Sequence, residues 1–550
     1  MSSDQTRILS SSAVMAAGTM VSRLSGFVRT ALLAAALGPY LHADLFNIAN
    51  TVPNMLYILL AGGIFNAVLV PQLVRAMKHD GDDGEAYTNR IITLAGLFLL
   101  LVSALLVVAA PLLMRLFLDA SYNNADMASQ RDAVIVFARY CLPQVFFYGM
   151  FVLVGQILNA RGSFGPMMWA PIANNVIAVA VLVAYLVVYG KADGAEQYGG
   201  YTSGQELLLG VGSTFGIACQ FLILLPYLKA AGFTYRPRFD FRNTGLGHTL
   251  RLGLWTVLFV IVNQVAYTIV VRLSSSGTAD ATDGTGYTVY SSTFLLVMVP
   301  HSIVTVSLAT AILPRLSAYA ADTDLPGLAS TLAGTLRTAL ALIVPFVMVL
   351  PVVSLEISRI VWGHGAAAAS YTNFAPSLAL FAPGLLFFSI HYLMLRGFYS
   401  LERTRTVFWV QCLVALTNIV LAVVFVRGAS AHETSPALVM AYGGSYLVGA
   451  VGSYLLLRHL LGGLETEALG NFAARLVAAA GLSTLMAWAL MEALRGLVDD
   501  PGFVVSVLMV AVVMGVDAVV YLALARVFDL PEARAVLAVV TRRPPASRTG

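Results

Sequence analysis

Two arginines inside one long apolar run are the residues whose chemistry most needs explaining. They sit in Ser22-Arg23-Leu24-Ser25-Gly26-Phe27-Val28-Arg29-Thr30. A guanidinium at the centre of a bilayer costs about 2.5 to 3.5 kcal/mol on insertion scales, so such a residue is a candidate for function unless its side chain reaches the surface. On a straight helix Arg23 and Arg29 lie about 120° apart and about 9 Å along the axis, which does not place them on one face. Gly26 between them permits a kink, and Ser22, Ser25, Gly26 and Arg29 form a small, polar stripe. On that reading both guanidiniums reach one water-filled cavity, where two of them suit a pyrophosphate through paired, charge-assisted hydrogen bonds. The plainer alternative has Arg23 reaching the surface and Arg29 pairing with Asp44 as a structural bridge. Arg139 has no obvious partner in sequence.

The next apolar run begins after Gly38-Pro39-Tyr40-Leu41-His42 and carries Asn47, Asn50, Thr51, Pro53 and Asn54, a polar, proline-broken stretch expected to line a cavity rather than face lipid. Asn159, Asn174, Asn175, Asn263, Gln264 and Asn418 are scattered through other apolar runs and read more simply as hydrogen-bonding glue between helices. Several chemistries find no support. There is no phosphate loop, and Gly210, Gly212 and Gly216 fall inside an apolar helix, so ATP is not expected as a direct energy source or cofactor. No His pair has metal-ligand spacing, no metal is assigned, and no nucleophile elbow appears. A net charge of only +4 gives no support to nucleic-acid binding.

The elements that must position these residues are membrane helices. Hydrophobic residues make up 59% of the 550 and charged residues 11%, with a mean hydropathy of +0.82, well beyond what a water-soluble core absorbs. Backbone groups facing lipid must be satisfied within the segment, so the runs become helices of about 20 residues or more, and the fold class is all-α and polytopic. About fourteen crossings are expected, near 10–37, 42–75, 88–118, 131–158, 166–189, 205–230, 247–273, 285–319, 328–361, 373–398, 405–427, 436–461, 471–495 and 502–527. No segment reads as a cleavable leader, and Cys141, Cys219 and Cys412 read as inert helix residues. Twenty-two of the 32 Lys and Arg fall on the side of the two termini and seven on the other, which predicts cytoplasmic termini.

Two six-helix lobes plus an added helix pair are predicted: residues 1–230, a basic cytoplasmic linker at 231–246, residues 247–461, helices 13 and 14 in 462–527, and a basic tail at 528–550. Pro53 and Pro71-Gln-Leu in the second helix are echoed by Pro300 and Pro314-Arg-Leu in the eighth, the weak internal repeat of a transporter, with the substrate site expected between the lobes.

The stretches SRLSGFVRTALLAAALG (Ser22 to Gly38), HADLFNIANTVPNMLYILLAGGIFNAVLVPQL (His42 to Leu73), LPRLS (Leu313 to Ser317) and RGFYSLERTRTV (Arg396 to Val407) resemble the MurJ (MviN) family of lipid II flippases, within the multidrug/oligosaccharidyl-lipid/polysaccharide exporter superfamily. The resemblance implies a non-enzymatic transporter of the bacterial cytoplasmic membrane. Its substrate would be lipid II, the undecaprenyl-pyrophosphate-linked peptidoglycan precursor, moved to the outer leaflet by alternating access. The membrane potential or an ion would supply the bias, and membrane lipids and the cell-wall synthesis machinery would be further partners. It implies that Arg23 and Arg29 hold the pyrophosphate and that Asp44 matches a family aspartate; with Ser25, Gly26, Asn50 and Asn54 these form the expected substrate site. The chain departs from the family pattern at Tyr57, where members often carry a third cavity arginine. It also departs at Gly62, Thr30 and Leu295, where members carry a Glu, an acidic residue and an Arg. The competing readings are a sibling exporter of another prenyl-linked glycan, a cation-coupled drug exporter, a membrane enzyme and an assembly protein.

Overall fold

The computed structural model describes residues 3–59, 84–240, 246–279 and 281–533, and the regular elements among its described residues are all helical, with no strand. In chain order the helices are α1 (Ser3–Leu37), α2 (Leu41–Ile58), α3 (Glu85–Val108), α4 (Ala110–Phe117), α5 (Ala128–Cys141), α6 (Gln144–Ala160), α7 (Gly165–Val188), α8 (Ser203–Leu222), α9 (Leu224–Ala230) and α10 (Leu246–Ala279). They continue as α11 (Tyr287–Pro300), α12 (Val306–Ala321), α13 (Leu325–Trp362), α14 (Phe374–Ser400), α15 (Thr404–Gly428), α16 (Thr434–Leu461), α17 (Thr466–Leu497) and α18 (Phe503–Val527). The second half of the second expected span, with Gly62 and Pro71, lies outside the described residues, as do linker residues 241–245 and the tail from 534.

Twelve helical spans in the described residues are long and apolar enough to cross a bilayer, and they are the third to fourteenth spans expected from the sequence. The first two correspond to α1 and α2. The chain is a multi-pass membrane protein. Exposed leucines along α3, among them Leu97, Leu101 and Leu105, make sense only against lipid.

Three spans expected as single helices are interrupted, each near a proline. The fourth breaks at Leu142-Pro143 between α5 and α6, the third at Ala109 just before Pro111, and the sixth at Ile223 before Pro226. Proline lacks the N–H for the helix ladder and crowds the preceding turn. The eighth is continuous but widens into a π-helical turn, His301–Thr305, directly after Pro300. At Gly38 the chain turns between α1 and α2 with φ of +80°, a left-handed conformation that favours glycine, and an added Cβ would sit 2.8 Å from Gln197 Oε1.

By packing, the chain forms two compact units. The first takes in Met1–Thr288 with Gly365–Ala367 and Ser430–Thr434; the second takes in Val289–His364, Ala368–Ala429 and Ser435–Gly550. Contacts thus group α10, which follows the basic linker, with the first unit, so this division by packing differs from the lobe boundaries read from sequence. Inside unit 1, Leu37, Leu45, Ile48, Phe137 and Tyr185 join α1, α2, α5 and α7 in one buried core, and Ile91, Leu99, Val152, Phe221 and Phe233 form a second around α3 and α6. Inside unit 2, α17 and α18 pack on α13 through Phe472, Leu476, Ala479 and Tyr521 and, further along, Val353, Ala487, Met491 and Val513.

Candidate functional site

Arg29 comes from α1, which runs without interruption through Gly26. It is half-buried, and its nearest ionisable neighbours are Tyr148 and Cys141, on α6 and α5. The Tyr148 ring lies 4.7 Å from that of Tyr57 on α2. Tyr57, where the resemblance implied a third cavity arginine, therefore sits against the ring of Arg29's neighbour Tyr148 and carries no charge. No carboxylate among the described residues approaches Arg29 or Arg23 within 4.0 Å. Arg23 is exposed.

The structural bridge between Arg29 and Asp44 is not formed. Asp44 is fully buried and is used elsewhere, within the same unit. Its Oδ2 accepts from the Thr278 hydroxyl at 2.8 Å and the Tyr287 N–H at 3.0 Å, and its Oδ1 accepts from the Thr288 N–H at 2.6 Å. The carboxylate thus sits against the first turn of α11, where unsatisfied N–H groups and the helix dipole favour an anion. An added Cβ at Gly286 would come within 1.9 Å of Asp44 Oδ2, so glycine is what admits the carboxylate to this turn. Asn47 and Thr51, one and two turns further along α2, continue the same seam: Asn47 donates to Thr288 Oγ1 at 2.9 Å, and Thr51 and Tyr287 share a hydroxyl bond of 2.7 Å that Tyr267 extends at 2.8 Å.

The small-residue stripe of α1 meets a neighbouring helix. Asn175 of α7 donates to the Ser22 carbonyl and to Ser25 Oγ, both at 2.9 Å, and a Cβ at Gly26 would lie 3.6 Å from its amide. Ser25 and Gly26 therefore set the approach of α1 and α7, and Asn175 is interhelical glue, as its type suggested. Thr30 turns its hydroxyl back to the Gly26 carbonyl at 3.1 Å. Asn50 is half-buried and accepts from Gln144 Nε2 at 3.0 Å, whereas Asn54 is exposed, as is Arg139. Leu295 exposes 41% of its surface and supplies no charge.

Of the expected site residues, Asn50 thus bonds Gln144 of α6, Arg29 lies near Tyr148 and Cys141, Ser25 and Gly26 pack helices, Asp44 holds a helix start, and Arg23 and Asn54 are exposed. Sequence reasoning passed over Gln144 and Tyr148. Their spacing of one helical turn, just after Pro143 in a strongly apolar helix, was the available signal. What the arrangement offers chemically is a half-buried cation near a tyrosine, with no counter-ion among the described residues, a receptor for an anion.

A family model described as lipid II flippase MurJ matches residues 33–513. A probable lipid II flippase MurJ of Vibrio cholerae serotype O1 is 27% identical over 428 residues, covering 76% of this chain and 78% of the relative. The lipid II flippase MurJ of Burkholderia cenocepacia is 27% identical over 399 residues, covering 70% and 72%. Among solved structures, a lipid II flippase MurJ in an inward closed conformation shares the fold with a TM-score of 0.71 at 17% identity, over 94% of this chain and 98% of that one. An inward-facing multidrug resistance MATE family transporter of the MOP superfamily shares it at 0.63 and 14%, over 82% and 99%.

Proposed function

The chain belongs to the lipid II flippase MurJ family, and we propose that it carries lipid II, the undecaprenyl-pyrophosphate-linked peptidoglycan precursor, from the inner to the outer leaflet of the bacterial cytoplasmic membrane by alternating access. It acts as a transporter and not as an enzyme, with both termini cytoplasmic. The observation that carries this reading is Arg29, half-buried, near Tyr148 and with no carboxylate among the described residues within 4.0 Å.

An uncompensated guanidinium in a membrane protein is costly by itself, and an anionic headgroup repays that cost when it binds. A planar fork of donors matches two phosphate oxygens at once, and the neighbouring tyrosine hydroxyl adds a donor that carries no charge to oppose release. Arg23, about 9 Å nearer the N-terminus on the same helix, is exposed and is the first cation an incoming headgroup meets. Asn50 and Asn54 extend the polar lining along α2. A carrier with the same affinity in both leaflets moves nothing net, so the membrane potential or an ion, with consumption of product outside, supplies direction without ATP. Membrane lipids and the cell-wall synthesis machinery are its partners.

The test is depletion of the protein in its native cell, with labelled lipid II exposed at the outer surface as readout, and rescue by wild type or by Arg29→Ala. Exposure is expected to collapse on depletion and to return only with wild type. Undiminished exposure in a cell with no second flippase would overturn the assignment to lipid II and leave another prenyl-linked glycan as the cargo.

A further inference from the structure

The segment that leaves α9 is a non-helical strap, residues 233–240, bound along one face of α3. The Arg236 N–H donates to Asn89 Oδ1 at 2.6 Å and the Arg238 N–H to Thr93 Oγ1 at 3.1 Å. The two acceptors are one helical turn apart, a rise of about 6 Å, and two residues of extended chain cover about 6.6 Å, so the strap lies extended with alternate N–H groups facing the helix. Thr93 also bonds the Tyr235 hydroxyl at 3.0 Å, and Asn89 and Thr93 are themselves buried, polar positions spent on holding this strap. Its start is fixed by Phe233, buried beneath the guanidinium of Arg161, which also donates to the Ala231 carbonyl at 3.3 Å. Its end is fixed by Asp240, which Arg90 of α3 holds at 2.5 Å.

What this rigid backbone presents is unusual. Arg236 and Arg238 lie two residues apart on this strap, on either side of Pro237. Both are exposed, and neither has a carboxylate within 4.0 Å among the described residues, the nearby acid Asp240 being engaged by Arg90. Flanking them, Phe239 exposes 68% of its surface and Tyr235 44%, and Tyr227 on α9 exposes 49%. Exposed aromatic rings beside exposed arginines, at the end of membrane helices, have the composition of a headgroup layer contact, in which rings sit at the acyl boundary and guanidiniums bind phosphates.

We propose that the strap 233–240 is an interfacial anchor that lies in the headgroup layer and binds anionic phospholipid phosphates through Arg236 and Arg238, with Phe239 set into the lipid beside them. The proposal is independent of what the protein transports. Pinning by Asn89, Thr93 and Arg90 fixes the backbone that carries both arginines before a lipid arrives, which lowers the entropy lost on binding.

The experiment uses the full-length protein in nanodiscs of mixed phosphatidylglycerol and phosphatidylcholine. Retained lipids are counted by native mass spectrometry for wild type, Arg236→Gln/Arg238→Gln and the corresponding double Lys variant. The double Gln variant is expected to lose about 30-fold in preference for phosphatidylglycerol and the double Lys variant to keep most of it. A Phe239→Trp variant reports depth, and brominated acyl chains are expected to quench its emission more strongly than aqueous iodide does. Unchanged lipid preference in the double Gln variant, or quenching of Phe239→Trp only from water, overturns the anchor. Displacement of the retained phosphatidylglycerol by millimolar inorganic pyrophosphate would overturn it too, showing a site for soluble phosphates.

Discussion

Arg29 in unit 1 and Arg495 in unit 2 are guanidiniums on membrane-spanning helices, and their surroundings are opposite. Arg495 of α17 forks onto Glu356 of α13 at 2.7 and 2.9 Å, reaches Glu492 at 2.7 Å and the Val352 carbonyl at 3.1 Å, and leaves Glu356 almost wholly buried. Arg359 likewise pairs with Asp500 at 3.1 Å and donates to the Pro501 carbonyl at 2.5 Å, and Arg337 pairs with Glu465 at 2.7 Å. These bonds fasten α17 and α18 to α13 near both ends of the hairpin. Arg29 has Tyr148 and Cys141 as its ionisable neighbours and no carboxylate within 4.0 Å among the described residues. A cation whose neighbours already neutralise it holds helices together; one whose neighbours do not is available to a ligand.

The sharpest way to break this contrast is to exchange the outcomes. Arg495→Ala leaves Glu356 buried without its partner and is expected to cost about 3 kcal/mol of stability, read as a large fall in the melting temperature of the purified protein. If Arg495→Ala melts like wild type, the pair is not structural and the distinction fails. Asp44→Asn keeps the shape but offers one acceptor oxygen to three donors, and about 2 kcal/mol of stability should go with it, again by melting temperature.

Arg29→Lys sharpens the comparison from the other side. A point charge replaces the bidentate fork, so outward exposure of lipid II should fall about tenfold while the melting temperature stays within a few degrees of wild type. A loss of stability comparable to that of Arg495→Ala would move Arg29 into the structural class. The smallest effect concerns Asp240, whose carboxyl is held below its ordinary range, first by the hydrogen bond from Arg90. A depressed folded-state value means that the contact contributes above the ordinary carboxylate range and is lost as pH falls through the depressed value. Emission from Phe239→Trp should therefore hold steady from neutral pH through the ordinary carboxylate range and shift only below it. A shift near neutrality would assign the strap's attachment to another group.

The hydrophobic runs dictated most of the fold without any tertiary information, because a peptide group in hydrocarbon has no partner except along its own helix. The breaks at Leu142-Pro143 and before Pro111 and Pro226 were visible as prolines, but whether a proline interrupts a helix, as there, or widens it, as after Pro300, depends on what its neighbours supply to the freed carbonyls. The site was half legible. Arg29 announced itself by the cost of a buried charge, and Asn175 announced itself as glue. The partners of Asp44 did not, since Thr278, Tyr287 and Thr288 lie more than 200 positions away along the chain and two of their three bonds use backbone N–H groups that every residue carries. Sequence determined which residues are too polar for lipid. Only the tertiary structure decided which of them are satisfied by the protein itself and which remain free for a ligand, because that depends on which donors and acceptors from distant segments arrive within 3 Å.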